Sequence, residues 1–384
     1  MTRTTPCGAP AIEAVESARS AVPPVARGVA RLSPYDPTTS LDHIQAHPER
    51  VPFKLDWNEA TVPPSPRVLE AIARFLGNSH HLNWYPELYS RRLTEALGRY
   101  TDLSPEHLLV TNGSDDALAL VCNTFLDPAD EVVAPTPTYT HFFVFAQAKG
   151  GRLVRVRYDD PFAVQLERVL AAISPRTKVI YLVSPNNPTG VVYERPDVER
   201  VLDAAPGAIV IVDEAYHEFY GRTVMPLVRT RPNLVVTRTF SKSFGMAGLR
   251  IGYLAAHPDC VGELKRIFSP KSVNVLGQIA ARAALSDLEY LNRYVGEVNA
   301  SKPLLVDFFR SRGLEARSTP ANYILFRPPE ARMFCERLTE EGVYIRDRSS
   351  MPQLEGLVRM SIGTVAQTRE VIERCDRVLR TFGQ

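Results

Sequence analysis

The chain has only seven lysines, and one of them, Lys242, stands in TRTFSKSFGMAGLRIGY (237–253). There an apolar run ends in a polar turn that presents Ser241 and Lys242; glycines follow, and Arg250 comes eight residues after the lysine. A lysine at the end of a buried strand can lose its proton and attack a carbonyl carbon, and small neighbours let a bulky ligand lie close to the backbone. An isolated lysine reads as a solvated surface charge, whereas this setting points to a nucleophilic amine. Other polar strings also follow apolar runs. VDEAY (212–216) ends such a run with Asp213, a carboxylate that either pairs with a bound group or caps the next helix, and Tyr216 follows it. SPNNPTG (184–190) is a Pro- and Asn-rich turn that presents the Asn187 amide.

TNGSDDALAL (111–120) sets Gly113, Ser114 and Asp115 at a helix start, where free N–H groups and the helix dipole favour a phosphate. A plain N-cap is the other reading of that string. Ser241 and Arg250 can complete such a cradle, the arginine through its fixed fork of donors. APTPTY (134–139) supplies Tyr139, whose ring can stack on a heterocycle. No G-x-G-x-x-G follows a strand and no P-loop string occurs, so dinucleotide and nucleoside triphosphate sites lose their main support.

From roughly Glu131 to Leu254, short apolar runs alternate with amphipathic stretches, the pattern of a parallel sheet with helices on both faces. The strand candidates are EVVAP (131–135), LVRVR (153–157), KVIYLV (178–183), AIVIVD (208–213), LVVTR (234–238) and RIGYLAA (250–256), with helices between them such as 163–172 and 196–204. Ligands of such sheets bind beyond the carboxyl ends of the strands, which is where the polar strings fall. Long helical periodicity from about Leu276 to Arg312 predicts a bridge between two domains. NYILFR (322–327), a helix near 330–341, VYIRD (343–347), LVRMSIG (357–363) and a closing helix from Ala366 read as a smaller α+β lobe, joined by residues 51–76. The expected division is a flexible N-terminal extension (1–28), an N-terminal arm with part of the small domain (29–80), a large ligand-binding domain (81–285), and a bridging helix with the small domain (286–384).

A chain of 384 residues, 45% apolar, can bury one large core and a smaller one. Basic and acidic residues number 45 and 43 without a concentrated patch, which argues against nucleic acid and membrane partners. The cysteines, Cys7, Cys122, Cys260, Cys335 and Cys375, are odd in number and scattered, so they fit reduced thiols in the cytoplasm rather than a disulfide or metal framework. The first 27 residues carry Glu13 and Glu16 and no unbroken apolar stretch, unlike a secretory signal or a membrane anchor.

Together these strings resemble the fold-type I pyridoxal-phosphate (PLP) enzymes of the aspartate aminotransferase superfamily, class I/II. Within it they look like the histidinol-phosphate aminotransferase branch, from ARLSPYDP (30–37) to the C-terminus. The resemblance implies that fold: a mainly parallel large-domain sheet covered by helices, and a smaller α+β domain. It makes Lys242 the Schiff-base lysine, Asp213 the pyridine partner, Tyr216 and Asn187 the contacts of the ring oxygen, and Tyr139 the stacking ring. Gly113, Ser114, Asp115, Ser241 and Arg250 would hold the cofactor phosphate. Tyr85 in NWYPE resembles a tyrosine that reaches the neighbouring subunit's cofactor, implying a homodimer. Arg359 in LVRMSIGT matches the arginine that clamps the substrate carboxylate, and Arg346 in VYIRDRSS one directed at a substrate phosphate. The partners implied are a small-molecule amino donor and a 2-oxo acid in a ping-pong transamination. KLDWNEATVPPSP (54–66) keeps Asn58 and Glu59 but has Ala60, Thr61 and Val62 where relatives often carry an aromatic for the substrate's far end. That departure points towards another amino acid, in specialised metabolism. A PLP-dependent decarboxylase or a cyclase/oxidase on the same scaffold is the alternative.

Overall fold

The computed structural model describes residues 23–34, 44, 52–78 and 81–383. Most of the expected extension over 1–28, and Cys7 with it, lies outside the described residues.

Runs of Val, Ile and Leu buried on both faces make the central strands, as a sheet covered on each side requires. The strands are β1 (Phe53–Lys54), β2 (Leu108–Thr111), β3 (Glu131–Thr136), β4 (Arg152–Arg157), β5 (Thr177–Val183), β6 (Ile209–Asp213), β7 (Leu234–Thr239) and β8 (Gly252–Ala256). After them come β9 (Ala316–Ser318), β10 (Tyr323–Phe326), β11 (Val343–Tyr344), β12 (Arg346–Asp347) and β13 (Val358–Ser361). The large sheet has the order β2-β8-β7-β6-β5-β3-β4. β8 runs antiparallel to both β2 and β7, and the remaining pairs are parallel. The mainly parallel sheet is therefore present with one reversed strand, read from the sequence as parallel like the rest. β2, absent from the sequence reading, forms its edge.

The small lobe is built on the sheet β12-β13-β10-β9, with β1 pairing β11 beside it. VYIRD, read as one strand, is divided: β11 pairs with β1 and β12 with β13. The stretch read as one long helix is two, Val275–Leu285 and Leu288–Ser311, parted at Ser286 and Asp287. Asp287 caps the second helix and takes the Ser65 hydroxyl. Leu291 of that helix lies in the large core and Val298 and Leu305 in the small one, so the second helix alone spans the two. Residues 29–80 divide likewise. β1 joins the small lobe, whereas the helix Pro66–Gly77 packs its Val68 into the large core.

Gly252 of β8 lies between Thr111 and Thr239. A Cβ there would sit 2.6 Å from the Gly113 carbonyl carbon and 2.7 Å from the Ser114 nitrogen. Gly252→Ala is expected to lower stability by about 1–3 kcal/mol through overpacking, measured by urea unfolding.

Candidate active site

Register aligns Val183, Asp213 and Thr237 across β5, β6 and β7, so the polar strings that follow these strands open at one level. Asp213 is 4% exposed and accepts hydrogen bonds from the Tyr181 hydroxyl at 3.0 Å and the Ala215 N–H at 3.1 Å. Both donors are neutral. Burial raises its pKa from 3.8 to about 6, with the Tyr181 bond opposing the rise. A carboxylate so enclosed is best matched by a cation. Tyr181, stacked on Phe142 at 3.9 Å, reads in sequence as an ordinary core residue and was not singled out there.

Lys242 follows β7 by three residues, and its Nζ donates to the Trp57 carbonyl at 2.7 Å. Burial, helped by the charge of Arg359, lowers its pKa to about 8, so the neutral amine is far more accessible near neutral pH than for a solvated lysine. The strap that receives it runs across the site. The Asp56 carbonyl accepts from Arg359, and the Asn58 carbonyl from the Asn322 amide at 3.0 Å. Tyr216, buried beside them, accepts from Asn58 Nδ2 at 2.8 Å.

The helix Ser114–Phe125 begins after Gly113, at φ 89°. That φ is one L side chains rarely adopt, and a Cβ on Gly113 would lie 2.7 Å from Arg250 Nη2 and displace the guanidinium. Arg250 reaches Ser241 Oγ and Asp115 Oδ2, both at 3.5 Å. Asp115 also accepts from the Tyr139 hydroxyl at 2.9 Å. Its carboxylate thus orients Tyr139 and Arg250, which leaves the backbone N–H as the group it can offer a phosphate.

On the opposite side, Arg346 and Arg359 are direct partners across β12 and β13. Arg359, 3% exposed, donates to Asn187 Oδ1 at 2.7 Å, which occupies the amide oxygen of Asn187 and leaves its NH2 group to donate elsewhere. Arg346 Nη1, Arg348 Nε and Arg359 Nε are buried and have no acceptor among the described residues. Burial, with the charges of Arg359 and Arg346, pushes the pKa of Arg348 well down. Guanidinium groups held in this way suit an anion. Arg348 was missed in the sequence, although it stands two residues beyond Arg346, the spacing that shares a face in extended chain. Tyr85 is 76% exposed and lies against Lys271, 4.0 Å from its ring centre, apart from this cluster.

Residues 51–375 match the family of class I and II aminotransferases. The chain belongs to that family. A dihydroxyacetone phosphate transaminase of Campylobacter jejuni is 35% identical over 364 residues, covering 93% of this chain and 98% of its own. A histidinol-phosphate aminotransferase of Roseiflexus castenholzii is 36% identical over 90% of this chain and 95% of its own. The crystal structure of histidinol-phosphate aminotransferase from Sinorhizobium meliloti with pyridoxal-5'-phosphate has a TM-score of 0.83 at 26% identity, covering 94% of this chain and 99% of that one. The protein is accordingly a PLP-dependent aminotransferase of fold type I, and these relatives do not favour the decarboxylase or cyclase alternative. The residues present fit the cofactor: an uncompensated buried carboxylate, an amine of lowered pKa, and a helix start whose positive-φ glycine lies against the Arg250 guanidinium.

The raised pKa of Asp213 fixes the sign of a test. Its charge costs the apo aminotransferase stability as pH rises from 3.8 through about 6, and nothing below that range. Asp213→Asn is expected to leave apo stability unchanged near pH 3.5, to raise it by up to ~2 kcal/mol at neutral pH, and to weaken PLP binding. Urea unfolding across pH, paired with PLP titration, measures both.

Proposed function

We propose that this aminotransferase moves an amino group between an anionic amine, an amino acid or an amino phosphate of the histidinol-phosphate kind, and a 2-oxo acid, in a ping-pong cycle. The observation that carries the reading is the set of unpartnered buried nitrogens on Arg346, Arg348 and Arg359, three arginines on or just beyond β12 and β13. The names of the relatives, which refer to dihydroxyacetone phosphate and histidinol phosphate, support a phosphate-bearing substrate.

PLP, when bound, supplies an aldehyde that takes up the amino group and a ring that accepts electrons. Asp213 would hold a negative charge for the ring nitrogen. Tyr216 and Asn187 would donate to the ring oxygen, and Tyr139 would cover the ring. The N–H groups of Gly113, Ser114 and Asp115, with Ser241 and Arg250, would bind the phosphate. Lys242 binds the aldehyde and, with its amine free, moves the proton at the substrate's α-carbon, a task suited to a pKa of about 8. Arg359 would clamp the acid group and so orient the substrate's α-carbon towards Lys242. Arg346 and Arg348 take a second anionic group. Without an aromatic at Ala60, Thr61 or Val62, the substrate's far end meets small side chains.

Leu82, Trp84, Tyr85, Leu88 and Tyr89 are exposed close together in sequence, which supports a homodimer in which Tyr85 reaches the partner's cofactor phosphate. The two hydrophobic cores support a large domain over 81–285 and a small one over 286–384, with the helix Pro66–Gly77 belonging to the former. The four free cysteines among the described residues support a cytoplasmic enzyme.

A single half-reaction, followed by loss of the visible cofactor band, tests the substrate reading with phosphorylated amines beside their dephosphorylated forms. The phosphorylated member is expected to react with a kcat/KM at least about tenfold higher, as a charge-assisted contact provides. Equal reactivity would contradict the role of the arginines. Arg359→Lys is expected to lower kcat/KM by roughly 10–100-fold with the cofactor band unchanged.

A further inference from the structure

Asn58 is a residue that the proposed cycle does not use. It is fully buried, sits in the left-handed region at φ 59°, and is tied at four points. Its N–H donates to Ser361 Oγ at 3.0 Å, and the Ser361 hydroxyl donates back to Asn58 Oδ1 at 3.0 Å. Because the serine oxygen already accepts the backbone N–H, its single proton is free for the amide oxygen. The structure uses that proton: Oδ1 faces Ser361, and the NH2 group donates to the Tyr216 hydroxyl oxygen at 2.8 Å. The Asn58 carbonyl, held by Asn322, keeps the backbone in place. A phenol that accepts from one side keeps its own proton for another partner.

We propose that Asn58 is a positioning residue: it turns the Tyr216 hydroxyl into a donor aimed at the PLP ring oxygen, and thereby sets the protonation midpoint of the bound cofactor. The inference rests on Tyr216 being the ring-oxygen contact. Ser361 lies two residues beyond Arg359 on β13, so the relay also ties the polarity of Tyr216 to the strand that carries the substrate arginine.

Asn58→Asp keeps the shape and reverses the polarity, since a carboxylate accepts where the amide donated and draws the Tyr216 proton away from the ring oxygen. The holoenzyme is titrated with pH, and the midpoint of the visible cofactor band is read beside Tyr216→Phe. Donation to the ring oxygen favours its deprotonated form, so losing it moves the midpoint upward. Tyr216→Phe and Asn58→Asp are each expected to raise it by about one pH unit, and the double variant no further than either. Asn58→Gly retains the positive φ, removes the amide, and covers the case in which the aspartate variant fails to fold; a smaller upward shift is expected. A midpoint that moves in Tyr216→Phe but stays fixed in the Asn58 variants, even with stability lost, overturns the inference. So does an additional shift in the double variant, the mark of a through-space charge effect. A midpoint unmoved by Tyr216→Phe overturns the Tyr216 assignment, and the inference with it.

Discussion

A carboxylate at the end of β6, sealed from water and bonded only to neutral donors, is the constraint on which the rest of this molecule depends. Its charge is expensive in the apo protein and becomes useful only opposite a cation. The parallel sheet makes that arrangement possible. Val183, Asp213 and Thr237 stand in register, so the segments beyond β5, β6 and β7, which carry Asn187 and Lys242, leave the same edge of the sheet that ends in Asp213. Lys242 obeys the same physics with the opposite sign, since burial that raises the carboxyl pKa lowers that of the amine.

The small lobe supplies the opposite wall. Arg346, Arg348 and Arg359 stand on or just beyond β12 and β13. The strap 56–58 connects that wall to the cofactor side, because its successive carbonyls take Arg359, Lys242 and Asn322.

Much of this was legible in the residues. Apolar runs bounded by turn strings gave the six later strands of the large sheet to within a residue or two, because a strand buried on both faces has little freedom in composition. The strings around Lys242, Asp213, Asn187 and Gly113 were legible because their chemistry needs particular residue types in a fixed order. What escaped reading depends on contacts distant in sequence. β2 is four residues, LLVT, running straight into the phosphate turn. The break at Ser286 and Asp287 shows itself only once Ser65 meets Asp287, and VYIRD divides because β1 and β13 claim different halves. Tyr181 hides in an apolar run, and Asn58 acquires meaning only beside Ser361 and Tyr216.

The central claim is a covalent one, and borohydride reduction of the holoenzyme followed by peptide mass mapping tests it most directly. The account predicts one cofactor mass per chain, fixed on Lys242 within residues 237–253, and none fixed in Lys242→Ala. A cofactor fixed on one of the other six of the chain's seven lysines, or one that washes away after reduction, would contradict it.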